Sequence, residues 1–89
     1  MVCVVVSADR HPPLNATVAE FGARVRARRE ALGLTQEQAA ERIGVHFTNL
    51  GLIERGRRSA RTETIARIAA GLDTTVGALM DDLPLAAPE

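Results

Sequence analysis

Residues 35–56 read TQEQAAERIGVHFTNLGLIERG, and the order of helix signals in this stretch decides the fold. Thr35 with Gln38 three residues on is a capping-box pattern, in which hydroxyl and side-chain amide satisfy two backbone N–H groups reciprocally. A helix is predicted from about Gln36 to Ile43, with Ala39, Ala40 and Ile43 as a small-residue buried face. Gly44 stops it early, because glycine takes the positive φ of a tight turn without a Cβ penalty. Val45 then leads into a second helix over roughly His46–Arg55, with Leu50 and Ile53 buried and Gly56 closing it. Gly51, inside that helix, marks a close approach, either to an outside backbone or to a packed neighbour.

Upstream, Val18, Phe21, Val25 and Leu32 recur at helical spacing, which predicts a helix ending at Gly33. Asn15 or Thr17 can cap it, and Glu20 stands three residues after Thr17. Arg29 falls on the same apolar face, while Arg24, Arg26 and Arg28 point elsewhere; a charge on a buried stripe needs a partner. Downstream, Arg57–Ala60 is a basic loop, followed by a helix over about Thr62–Leu72 that buries Ile65, Ile68, Ala69 and Leu72. Thr75 caps a fifth helix carrying Val76, Leu79, Met80 and Leu83. Residues 1–14, with Val4–Val6 and the Pro12-Pro13 pair, read as an extended or disordered arm with room for a short strand at Val2–Val6. The expectation is an all-α, compact five-helix domain over 15–84, an N-terminal arm over 1–14 and a tail over 85–89.

The 89 residues make one domain. Phe21 and Phe47 are the only aromatics, so the core must come from Leu, Ile, Val and Ala. Cys3 stands alone and forms no internal disulfide. No apolar run is long enough to cross a membrane, and Met1–Val6 lacks the basic leader of a signal peptide, so a cytoplasmic location and no membrane partner are expected. Formal net charge is zero, yet residues 24–61 hold nine Arg against four Glu, while residues 62–89 hold one Arg against five acids. Such segregation fits one polyanion-facing surface, and solvated helix faces produce the same pattern. No cluster has metal-ligand spacing, no glycine-rich loop follows a strand, and no nucleophile stands beside a base. No catalysis, metal or cofactor is therefore expected.

A short helix, a glycine turn and a second helix form a helix-turn-helix arrangement, which leaves the outer N-terminal face of the second helix free for a DNA major groove. Phe21-Gly22-x-Arg24-Val25-x-x-x-Arg29, Gly33-Leu34-Thr35-Gln36-Glu37-x-x-Ala40 and Ile53-Glu54-Arg55-Gly56 together resemble the Cro/C1-type (XRE-like) helix-turn-helix family, over about Val18–Leu83. The resemblance implies a lambda-repressor-like DNA-binding domain and an ion pair between Arg29 and Glu54. It implies base contacts from His46, Phe47, Thr48, Asn49 and Leu52, with Asn49 suited to bidentate contact with adenine. Gln36, Arg57 and Arg58 take the phosphate positions. The function implied is a sequence-specific transcriptional regulator, of repressor or controller type, that binds a palindromic operator in double-stranded DNA as a homodimer. Met80, Leu83 and Leu85 are the candidate dimer residues, with the apolar N-terminal stretch as a rival, and Leu79 is assigned to the core. Phe47 and Leu52 depart from the polar residues usual at base-reading positions. They suit thymine methyl groups, or else a protein partner, so the alternative is a protein-binding module such as an antitoxin or adaptor.

Overall fold

The computed structural model describes residues 12–85. The strand expected at Val2–Val6 and the thiol of Cys3 lie outside the described residues. Five helices follow one another: α1 (Ala16–Ala31), α2 (Gln36–Ile43), α3 (Phe47–Glu54), α4 (Thr62–Gly71) and α5 (Val76–Met80), with no strand among the described residues.

Local chemistry sets most helix ends. Asn15 caps α1 by accepting the Val18 N–H at 2.9 Å, while Thr17, the other candidate cap, donates its hydroxyl to the Pro84 carbonyl instead. Thr35 and Gln38 close both arms of the capping box on α2, at 3.0 and 2.9 Å. Gly44 ends that helix at φ 91°, in the left-handed region. His46 lies just outside α3 as its N-cap, its Nδ1 accepting the Thr48 N–H at 3.1 Å. An imidazole thus does work usually left to Ser, Thr, Asp or Asn. Thr75 caps α5 through the Ala78 N–H.

The core joins Phe21 and Val25 of α1 to Ala39, Ala40 and Ile43 of α2 and to Leu50 and Ile53 of α3. Ile68, Ala69 and Leu72 from α4 and its C-cap, with Leu79 of α5, complete it. Ile65, expected inside, packs on its edge with Leu32, Leu34, Val45, Ala60 and Leu83. α3 is wedged between α1 and α2, and two glycines allow the tightest crossings. A Cβ on Gly22 would stand 2.1 Å from the Ile53 carbonyl oxygen, and one on Gly71 would stand 2.9 Å from the Ile43 Cα. α1 meets α3, and α4 meets α2, almost backbone to backbone. Ala40, expected on the small-residue face of α2, is buried, but glycines carry the closest approaches.

Arginines fasten α1 to the C-terminal half. Arg28 donates to the carbonyls of Leu72 (2.8 Å) and Asp73 (2.9 Å) at the end of α4. Arg24 donates to those of Asp81 (2.6 Å) and Leu79 (3.3 Å) at the end of α5. Terminal carbonyls lack intrahelical donors and carry partial negative charge, so cations satisfy them well.

Candidate nucleic-acid interface

The outer face of α3 is useful only if its inner face is fixed, and a buried carboxylate does much of that. Glu54 is 7% exposed. Arg29 grips it with two parallel hydrogen bonds, Nε to Oε2 at 2.7 Å and Nη2 to Oε1 at 3.0 Å, the bidentate geometry in which guanidinium and carboxylate bond best. The remaining arm of Arg29, Nη1, donates to the Leu34 carbonyl at 2.9 Å. The hydrogen bonding to Glu54 raises the Arg29 pKa further above its ordinary value, against the lowering effect of burial. Gln36 joins the network, its Nε2 donating to Glu54 Oε1 at 3.0 Å. One carboxylate therefore ties α1, α2 and α3 together, and no buried side-chain nitrogen or oxygen among the described residues lacks a partner.

The Gln36 side chain is thus bonded to Glu54 through its amide nitrogen and is half-buried. The same amide explains Gly51, which is buried beneath it. A Cβ there would lie 3.4 Å from Gln36 Oε1 and 3.3 Å from an Arg55 guanidinium nitrogen. A packed neighbour is therefore present at Gly51.

Outward, Phe47 is 44% exposed, and the His46 ring stacks on it with centroids 4.8 Å apart. Thr48 is exposed, while Leu52 and Asn49 are half-buried. Asn49 does not stand alone: its Oδ1 accepts a hydrogen bond from Arg58 Nη1 at 2.8 Å. Beside this pair a groove of about 310 Å³ runs between α3 and the start of α4, lined by Ser59, Arg61 and Thr64 among others. Arg57, Arg58 and Arg61 enter no ion pair among the described residues. The structure therefore brings Phe47, Thr48, Asn49 and Leu52 onto one helix, with His46 capping its start and Arg57 and Arg58 in the loop that follows.

At the far end, Met80 is 37% exposed and Leu85 90% exposed, whereas Leu83 packs partly on the core. Leu79 is buried. Among the described residues no group of His, Cys, Asp or Glu is arranged to hold a metal ion, and no helix is long and apolar enough to cross a membrane.

Around α3, the contacts absent from the sequence reading include Gln36 to Glu54, Arg58 to Asn49, and the cap made by His46. The sequence reading places His46 at the start of the helix itself, so the cap had no signal. The other two join residues 18 and 9 positions apart and had none.

Comparison with known proteins agrees with this geometry. Residues 20–83 match the model of a family described as a helix-turn-helix domain. An uncharacterized transcriptional regulator in the ATPase CF(0) region of Rhodospirillum rubrum is 42% identical over 65 residues, 73% of this chain and 60% of that protein. The chain thus spans well under two thirds of that relative's length. Control protein C.SmaI of Serratia marcescens is 39% identical over 56 residues, covering 63% of this chain and 67% of its own. Among solved structures, the restriction-modification controller protein C.AhdI from Aeromonas hydrophila superposes with a TM-score of 0.70 at 36% identity, over 72% of this chain and 97% of that one. The family match runs from within α1 through α5, and the buried Arg29–Glu54 pair and the turn at Gly44 lie within it: the chain belongs to the helix-turn-helix domain family, in its Cro/C1-type (XRE-like) class.

Proposed function

We propose that the protein is a DNA-binding transcriptional regulator that reads a palindromic operator as a homodimer. The observation that carries this reading is the outer face of α3: it stands clear of the core, is held from below by Glu54, and is bordered by Arg57, Arg58 and Arg61, none of them ion-paired among the described residues. Relatives named as transcriptional regulators and a control protein support it. His46, Phe47, Thr48, Asn49 and Leu52 meet base edges, with Phe47 and Leu52 against thymine methyl groups. Arg57 and Arg58 supply phosphate contacts, as does the first-turn backbone of α2 at Gln36. Two copies meet through Met80, Leu83 and Leu85, and dimers of this kind address half-sites about one helical turn of DNA apart.

Selection of duplexes from a random library at about physiological salt, followed by sequencing of the bound pool, tests the proposal. The expected result is a motif of two inverted half-sites centred about 10 base pairs apart. Arg57→Ala then weakens binding to all sequences alike and flattens the salt dependence by roughly one unit of slope. The exposure of Phe47 favours a second reading, in which α3 presents an apolar patch to a protein. A bound pool with no enriched motif would favour it, as would an Arg57→Ala variant with unchanged DNA affinity.

A further inference from the structure

The hydrogen bond between Arg58 and Asn49 decides what Asn49 can offer to DNA. A carboxamide has an acceptor end and a donor end, and side-chain orientation chooses which one faces a ligand. Bidentate recognition of adenine uses both, the oxygen accepting from N6 and the nitrogen donating to N7. Here the oxygen is engaged by Arg58 Nη1 at 2.8 Å. That orientation is forced, because a guanidinium has only donors and would repel the amide nitrogen. The Nδ2 group, with its two donors, is the end left for a ligand, and the positive charge beside the oxygen discourages approach by a second donor such as the adenine amino group. The remaining N–H groups of Arg58 are donors as well. Exposed Arg58 and half-buried Asn49 thus form a unit that presents donors and no competitive acceptor.

Only one base has a major-groove edge made of two adjacent acceptors. Guanine presents N7 and O6; adenine and cytosine each present an amino donor, and thymine pairs its single O4 acceptor with a methyl group. We infer that Arg58 is a positioning residue for Asn49, and that the pair makes the protein select guanine at one position of each half-site. This rests on the DNA-binding reading above, and it reverses the adenine preference that Asn49 alone would have.

The test compares base preferences of the wild type, Arg58→Ala, Asn49→Ala and Arg57→Ala on the same random duplex library. The wild type should hold guanine at one position per half-site. In Arg58→Ala the guanine-to-adenine ratio at that position should fall about tenfold, the scale of one bidentate contact, while the rest of the motif stays. Asn49→Ala should lose preference there altogether, and Arg57→Ala should keep the motif intact at weaker affinity. Replacing that guanine by 7-deazaguanine, which removes the N7 acceptor, should weaken the wild type and leave Arg58→Ala and Asn49→Ala little changed; a general loss of helix order would not produce that pattern. The inference is overturned if Arg58→Ala lowers affinity uniformly and keeps guanine, since Arg58 is then a phosphate contact only. A wild type that enriches no motif sinks the DNA-binding reading and this inference with it. An intact motif with no guanine affected by Arg58→Ala sinks the inference alone.

Discussion

Two regions of this molecule are rich in arginine, and they use it in opposite ways. In α1, Arg24, Arg28 and Arg29 are turned into the protein, onto helix-end carbonyls and the Glu54 carboxylate, and Arg26 pairs with Glu30 one turn along the same helix. In the loop after α3, Arg57, Arg58 and Arg61 meet no acid among the described residues, and Arg58 holds an amide on the recognition face. Counted as charge, the two groups look like one basic region. Read by their partners, the first is a set of fasteners and the second is left for the proposed DNA-binding surface. A basic stretch in a sequence is therefore an upper bound on the charge available to a polyanion, since arginine serves equally well inside a fold.

Graded substitutions would break or sharpen that contrast. The largest effect is expected at Arg29. Arg29→Met strands the buried Glu54 carboxylate and should cost about 3–5 kcal/mol, read by thermal or urea unfolding. Arg29→Met combined with Glu54→Leu should recover most of that loss, because the desolvated charge goes with its partner. A double variant less stable than both singles would refute the pairing as the source of the cost. Next comes Arg28→Ala, which removes two charged hydrogen bonds to the end of α4. A loss of about 1–2 kcal/mol is expected, with faster hydrogen exchange at the α4–α5 junction. Arg26→Ala breaks an exposed ion pair four residues apart and should cost about 0.5 kcal/mol or less, diminishing further in high salt. Arg57→Ala should leave unfolding unchanged within about 0.5 kcal/mol while weakening DNA binding. If Arg57→Ala destabilised the fold as much as Arg28→Ala, the division between fasteners and binding surface would fail.

The same division explains what could be read in advance. Helix order, the caps at Asn15, Thr35 and Thr75, the left-handed turn at Gly44 and most of the core were legible, because each depends on residues within about one helical turn of each other. The unease about Arg29 was legible too, since four-residue spacing from Val25 puts it on the buried face. That its partner is Glu54 came only through family resemblance, and the structure places the two 2.7 Å apart. Gln36 shows the limit of positional transfer. Its place at the start of α2 holds, and its amide also bonds Glu54, a link that position in the family pattern does not announce.

The sequence by itself determined where each helix starts and stops and which stripe of each is apolar, since backbone sterics and i to i+4 contacts act locally. Only the tertiary structure decided how closely the helices meet, at Gly22 and Gly71, and which arginines remain for a ligand. It also decided that the Asn49 oxygen is engaged by Arg58. Those outcomes depend on side chains brought together from separate helices and loops, where chain spacing carries no information and the pairing of buried or charged groups selects one arrangement.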